Sequence, residues 1–102
     1  MNTSVEVSSA EAESVSVTDE ALTVELTDGR SITVPISWYP RLLHGADEER
    51  GNWSLLGGGI GIHWPDLDED ISVQGLLAGR RSGETQASLQ RWLEIRKKKQ
   101  AT

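Results

Sequence analysis

The chain has 102 residues, a formal net charge of −6 and no cysteine. A chain of this length holds one domain with a single core, and without cysteine it has neither a disulfide nor a thiolate metal site. No apolar run approaches the roughly 20 residues needed to cross a bilayer, and the N-terminus lacks the basic and apolar regions of a signal peptide. We therefore expect a cytoplasmic protein without a membrane partner.

The charge is unevenly distributed along the chain. Residues 1–28 carry seven acids and no base, whereas residues 80–102 carry seven bases and two acids. An acidic body repels nucleic acid, while a basic segment attracts it. Charge therefore leaves both a protein partner and a nucleic acid as candidates.

The first third of the chain predicts a sheet. Residues 1–14 are small, polar and acidic without periodicity, which indicates a disordered leader. Three short runs of alternating apolar residues follow between Val15 and Val34, and the last two are joined by Asp28-Gly29, a dipeptide that favours tight hairpin turns. We predict three strands in an antiparallel meander.

The middle of the chain mixes helix and strand signals. Ser37 is predicted to cap a helix with Pro40 in its first turn, where the missing N–H costs nothing. Residues 47–50 predict another helical turn, and residues 53–56 and 60–64 predict two short strands. The glycines at 57–59 lie between these strands and lack the phosphate-binding patterns, so we interpret them as a hairpin loop.

The last part of the chain predicts two helices. Ser72 is expected to cap a short helix that ends before Gly79, with the acids at 68–70 near its positive end. Residues 84–98 have the apolar spacing of an amphipathic helix, with cations at its C-terminal end.

The predicted fold is therefore α+β. It combines a small antiparallel sheet, made of the N-terminal three-stranded meander plus one or two further short strands, with two to three helices including the amphipathic C-terminal one. We divide the chain into a disordered acidic leader (1–14), an α+β core domain (15–79) and a C-terminal helix with a basic tail (80–102).

Residues 66–70 read DLDED and form an acidic cluster. Their spacing resembles the start of a calcium loop, but Ile71 stands where glycine is required and Leu77 where glutamate is required. A looser Mg²⁺ site would use Asp66, Asp68 or Asp70 together with His63. A polar turn ahead of a helix is the simpler explanation, so we predict no metal and no other cofactor.

The sequence names no catalytic nucleophile. It has no cysteine for a histidine to activate and no G-x-S-x-G elbow. His63 alternates with Ile62 and Trp64, where a half-exposed residue bonded to a neighbour is commoner than a general base. We therefore expect no enzyme activity.

Several separate motifs resemble a known bacterial family. They are DGR (28–30), VPISWYPRL (34–42), NW (52–53), GGG (57–59), GIHWPDLDEDISV (61–73) and GLL (75–77). Over about residues 15–79 the chain is similar to domain-of-unknown-function family 2442. The resemblance implies a small α+β domain of bacteria and their mobile elements, in some members fused to a helix-turn-helix domain and in some encoded beside another small gene in a toxin–antitoxin-like arrangement. No catalytic residue is established for that family.

Three functions remain as hypotheses. The first is a non-enzymatic protein-interaction module, the antitoxin-like or regulatory member of a bacterial two-gene pair, with a homo-oligomer also allowed. Its predicted contact residues are Trp64, Asp66, Asp68, Glu69, Asp70, Arg80, Arg81, Arg91 and Trp92. The second is a DNA-binding accessory protein or transcriptional regulator that uses the basic C-terminal helix. The third is a metal-dependent phosphoester hydrolase that uses the candidate ligands named above.

Overall fold

The computed structural model describes residues 10–101, and the side chains of residues 10–99. The first sheet contains β1 (Ala12–Val17), β2 (Ala21–Leu26) and β3 (Ser31–Pro35). A 3₁₀ helix (Ile36–Trp38) leads to α1 (Pro40–Leu43) and α2 (Asp47–Gly51). The second sheet contains β4 (Ser54–Leu56), β5 (Gly61–Trp64) and β6 (Glu69–Ser72), and it is followed by α3 (Val73–Leu77) and α4 (Gln86–Ala101). The predicted α+β class is confirmed.

The first sheet is the predicted antiparallel meander in the order β1-β2-β3. Leu22, Val24 and Leu26 share its buried face, as their alternation predicts. Gly29 adopts a φ of 93° in the turn between β2 and β3, the conformation for which glycine is suited.

The sheet begins earlier than the sequence indicated. Residues 1–9 of the predicted leader lie outside the described residues, but residues 12–14 belong to β1. Ala12 is buried and pairs with Leu26, and the register shifts between Ala12 and Ser14. This bulge interrupts the alternation of side chains, which hid the start of the strand.

The helix after β3 starts differently from the prediction. Pro40 occupies the first turn of α1 as expected, but Tyr39 is the N-cap and makes no capping bond with its side chain. Ser37 lies inside the 3₁₀ helix instead, so its assignment as the cap was wrong. The helical turn predicted at residues 47–50 is confirmed as α2.

The second sheet has one strand that the sequence did not reveal. Its order is β4-β5-β6, all antiparallel. Residues 69–72 pair with β5, although the acids at 68–70 were assigned to the start of a helix. Ser72 does cap α3, since its Oγ accepts a hydrogen bond from the Gly75 N–H at 2.9 Å.

The core lies between the two sheets and the short helices. Its largest fully buried side chains are Trp64, Leu22, Leu42, Ile62, Leu67, Leu76, Val24 and Val73. The loop after β4 connects the sheets, because the Ala12 N–H donates to the Gly59 carbonyl at 2.7 Å. A Cβ on Gly59 would lie 2.7 Å from the Ala12 carbonyl oxygen. The glycines at 57–59 therefore form a packed hairpin loop.

The C-terminal helix α4 packs against the core along one side. Leu89, Trp92 and Leu93 are half-buried on it, whereas Ile95 is exposed. The helix starts at Gln86, two residues later than predicted, and the Thr85 side chain accepts a hydrogen bond from the Ser88 N–H at 3.1 Å. Among the described residues, no helix combines the length and apolarity needed to cross a membrane.

Candidate interaction surface

Trp64 belongs to the core and not to the surface. It is fully buried, and its indole N–H donates to the Arg50 carbonyl at 3.0 Å. Arg50 is itself buried, and its guanidinium donates to the carbonyls of Leu42 and Leu43 at the end of α1. The prediction that Trp64 contacts a partner is therefore wrong, since a side chain enclosed in this way stabilises the fold.

The acids of the 65–68 loop point to separate partners. Asp66 accepts a hydrogen bond from the Asn52 amide at 2.9 Å. Asp68 is exposed, has a φ of 51°, and lies 3.6 Å from the Arg41 guanidinium. Within the described range there is no group of three or more histidine, aspartate or glutamate side chains that could hold a metal ion. The structure therefore does not bring together the four candidate ligands.

Two of those four residues do meet. His63 on β5 lies directly opposite Asp70 on β6, and its Nδ1 is 2.5 Å from the Asp70 carboxylate. Both side chains are on the outer face of the second sheet, because Ile62 and Ile71 occupy the buried face at the neighbouring position. This is the neighbour-bonded role that the sequence favoured for His63.

The register of β5 and β6 determines which main-chain groups of β6 face outward. The Val73 N–H donates to the Ile60 carbonyl at 3.0 Å, so the pairs alternate from there along the ladder. Ile71 then bonds with β5, while the N–H groups of Asp70 and Ser72 point to the outer edge. Within the described part of the chain these two groups and the Asp70 carbonyl have no hydrogen-bond partner.

This outer edge opens onto a cavity of about 360 Å³ that we call the β6 cleft. One wall is β6, and the other is the segment before α4, which is held by a hydrogen bond from the Ser82 N–H to the Trp38 carbonyl at 3.0 Å. The lining residues are Tyr39, Glu69, Asp70, Ile71, Ser72, Gly75, Arg80, Arg81, Ser82 and Gly83. A cavity of this size is at the lower end of the range for binding sites, about 300–1,000 Å³.

Glu69 is the unusual group in the β6 cleft. Its carboxylate is half-buried, and no donor among the described residues hydrogen-bonds to it. Burial raises the pKa of Glu69 to about 7, against the opposing effect of Arg41. Titratable groups perturbed in a cleft are candidates for function, so Glu69 remains a candidate contact residue, now on the ground of its half-buried environment.

Tyr39 lines the β6 cleft and was not among the contact residues predicted from the sequence. Its hydroxyl donates to the Arg80 carbonyl at 2.9 Å. Burial, and to a smaller extent the charge of Glu69, raises the pKa of Tyr39. The only signal in the sequence was its place in the VPISWYPRL motif, as the single tyrosine of the chain.

Arg41 was also missed, although it connects three parts of the structure. Its guanidinium forms two hydrogen bonds with Glu84, at 2.8 and 2.7 Å, and it reaches the Leu67 and Asp68 carbonyls at 3.3 and 3.2 Å. Its charge-assisted bonds hold the 65–68 loop and the start of α4 together.

The basic residues predicted as contacts have different surroundings. Arg80 and Arg91 are exposed, and the Arg81 guanidinium lies over the Trp38 ring at 4.9 Å. Trp92 lies between the guanidinium groups of Arg41 and Arg96, at 5.1 and 4.6 Å.

Trp92 and the cations around it therefore attach α4 to the core. Arg96 is paired with Glu49 through two hydrogen bonds at 2.9 and 2.7 Å, so part of the basic tail is neutralised within the chain.

The comparisons with known proteins identify the family. The family described as "Protein of unknown function (DUF2442)" matches residues 12–82. The chain therefore belongs to this family, as the sequence motifs predicted. No curated protein matches the chain.

Two solved structures are similar to this one. A protein of unknown function from Rhodospirillum rubrum is 28% identical with a TM-score of 0.62, and the match covers 78% of this chain and 96% of that one. An uncharacterized protein from Chromobacterium violaceum, solved by NMR in solution, is 20% identical with a TM-score of 0.65 over 79% of this chain and 76% of that one. The second similarity shows the fold alone.

Proposed function

We propose that this chain is a non-enzymatic protein-interaction module, the antitoxin-like or regulatory member of a bacterial two-gene pair. The observation that supports this most directly is the unpaired outer edge of β6, which faces the β6 cleft. An exposed strand edge presents unpaired N–H and C=O groups to which another chain can pair.

The proposed contact surface differs from the one predicted from sequence. It retains Glu69, Asp70, Arg80 and Arg81, which line the β6 cleft, and it adds Tyr39. It omits Trp64, which is buried.

The remaining predicted contacts lie away from the β6 cleft. Trp92 is half-buried between two guanidinium groups. Asp66, Asp68 and Trp92 line a separate depression beside α4.

A non-enzymatic role agrees with the partners of the acidic groups. Asp66 and Asp68 are directed toward Asn52 and Arg41, and not toward His63. His63 and Asp70 are bonded to each other on an outer sheet face. These arrangements stabilise the loop and the sheet, while the cleft provides a recognition surface.

Affinity capture from the native host tests the proposal. We would compare the wild type with Asp70→Arg and Arg80→Glu, which reverse a charge on each wall of the β6 cleft, and with Glu13→Arg, a matched change on exposed β1. We expect one protein, identified by mass spectrometry as the product of the adjacent gene, to be captured by the wild type and by Glu13→Arg. It should be lost with both cleft variants.

Two results would contradict the proposal. One is a wild type that purifies repeatedly without a partner. The other is a partner that both cleft variants retain and that is lost when the chain is truncated after Trp92, which would move the contact to α4.

A further inference from the structure

We infer that the β6 cleft receives an extended peptide segment of the partner, which adds to β6 as a fourth strand and places one lysine or arginine side chain on Glu69. This inference rests on the proposed function and deepens it by naming the chemistry of the partner. The surface is the same, but affinity capture does not test whether the partner pairs with the main chain of β6 or whether it places a cation on Glu69.

The outer edge of β6 has main-chain groups that are available for pairing. The Asp70 N–H and carbonyl and the Ser72 N–H point outward and are unpaired among the described residues. Strand addition satisfies such groups through main-chain hydrogen bonds, which give affinity independent of sequence. These groups belong to two residues, Asp70 and Ser72, that alternate along the strand, as pairing with one more strand requires.

The inward side chains of β6 indicate which residues a paired peptide should carry. Glu69 and Ile71 lie on the same, inward face of the strand, and both line the β6 cleft. A strand paired with β6 would present its own side chains alternately on the same two faces. The peptide should therefore carry a cation beside Glu69 and an apolar residue two positions away, beside Ile71.

Charge limits the number of cations in the peptide. The half-buried Glu69 carboxylate has no hydrogen-bond donor within the described range, so an ammonium or guanidinium group would satisfy it. Arg80 and Arg81 line the opposite wall, so a second cation would meet repulsion. The cleft should therefore prefer a peptide with a single basic residue to a polybasic one.

A second copy of this chain fits the edge less well. Pairing β6 with itself would bring close together two strands that each carry Glu69 and Asp70, and their like charges would repel. A basic peptide has the complementary charge. We therefore assign the edge to a partner peptide.

The experiment uses the full chain labelled with ¹⁵N and three synthetic peptides. The probe is acetyl-TVTKTVT-amide, and the controls replace its lysine with glutamate or its two valines, which share the lysine's face, with lysine. We expect the probe to shift and protect the Asp70 and Ser72 amides, and to bind about tenfold more tightly than the glutamate peptide, as the loss of a charged hydrogen bond requires. The polybasic peptide should bind more weakly than the probe at equal ionic strength.

Three variants separate the main-chain claim from the charge claim. Asp70→Pro and Asp70→Ala both remove the bond to His63, but only proline removes the outward N–H, and proline is tolerated on such an edge. We expect Asp70→Ala to bind the probe and Asp70→Pro to lose it. Glu69→Gln should reduce the preference for lysine over glutamate about tenfold.

Equal binding by Asp70→Ala and Asp70→Pro, or no amide shift at millimolar probe, would overturn the inference. A dimer of the free chain that Asp70→Pro dissociates would also overturn it, because the edge would then belong to a second copy. The proposed function would survive these results if capture still depended on the walls of the β6 cleft.

Discussion

His63 and Asp70 face each other across β5 and β6, with Nδ1 of the histidine 2.5 Å from the carboxylate. They form a pair whose main chains do not bond to each other, the kind of pair in which opposite side chains approach closely. The same register that joins these side chains turns the main chain of Asp70 outward. The side-chain contact between His63 and Asp70 and the unpaired edge are therefore two consequences of one alignment.

Amide hydrogen exchange of the free chain should show this alternation. We expect the Ile71 amide, which bonds within the sheet, to exchange much more slowly than the Asp70 and Ser72 amides. Exposed, unbonded N–H groups have little protection, whereas sheet amides exchange through opening of the structure. Similar protection at Asp70 and Ile71 would show that the outer edge is covered.

The stability of the fold should depend on Glu69 in a defined pH window. The folded-state pKa of about 7 exceeds the ordinary value of 4.5, so the folded protein holds this proton more tightly than the unfolded chain does. The stabilising contribution is complete below about pH 4.5 and is lost as the pH rises through about 7. The charged groups that act on Glu69 are Arg41, Glu84, Asp70 and Asp68.

Replacing Glu69 with glutamine should remove this dependence. Relative to the wild type, Glu69→Gln should gain about 1–2 kcal/mol of unfolding free energy near pH 8 and little near pH 4, allowing for the exposed part of the side chain. Urea denaturation at several pH values measures the difference. Glu13→Gln is the control, and an equal gain in both variants would contradict the assignment to Glu69.

Trp64 should matter for stability and not for binding. Trp64→Phe removes the indole N–H from the buried Arg50 carbonyl and leaves a gap in the core, so we expect a loss of about 2–3 kcal/mol. Trp53→Phe, at a half-buried position, should cost less. The prediction would be wrong if Trp64→Phe stays folded and loses the captured partner while Trp53→Phe keeps it, because Trp64 would then contribute to binding.

The glycine loop should tolerate a side chain at one position and not at its neighbour. Gly59 has a φ of 124° and a Cβ there would meet the Ala12 carbonyl, whereas Gly58 has a φ of 75° and open space around it. Gly58→Ala should cost about 1–2 kcal/mol through its backbone conformation alone. Gly59→Ala should cost clearly more in thermal unfolding, and equal costs would argue against the contact between β1 and this loop.

A double-mutant cycle measures how strongly the pair Glu49 and Arg96 attaches α4 to the core. Glu49 and Arg96 are joined by two hydrogen bonds and are mostly shielded from solvent, so we expect a coupling of about 1 kcal/mol between Glu49→Ala and Arg96→Ala. The exposed pair Asp28 and Arg30 serves as the control and should couple less. Additive losses at Glu49 and Arg96 would show that the pair does not hold the helix.

The sequence predicted the local structure well where one pattern dominated. The alternation from Val15 to Val34 and the Asp28-Gly29 turn were sufficient for the meander. Ser72 was recognised as a cap because its hydroxyl precedes an apolar helix. In each case the residues that define the element are close together in the chain.

β6 was missed because its pairing comes from another strand. Residues 69–72 contain a single apolar residue, Ile71, and acids that also suit a helix start. Pairing of Ile71 with Ile62 decides the structure. Trp64 was placed on the surface with its acidic neighbours, although its alternation with His63 already assigned it to the face of Ile62.

The β6 cleft could not be predicted from local sequence patterns, because distant parts of the chain form it. It forms where residues 80–83 return beside β6, held by the hydrogen bond between Tyr39 and Arg80. The raised pKa of Glu69 depends on this long-range burial. The sequence therefore indicated the acidic segment as a surface, but not the residue in it with the most unusual environment.

Hydrogen exchange of the chain in complex with its captured partner tests most directly whether the partner binds at the outer edge of β6. We expect the Asp70 and Ser72 amides, which exchange fast in the free chain, to become protected in the complex while exchange in α4 is unchanged. Protection confined to α4, with Asp70 and Ser72 still exchanging fast, would contradict it.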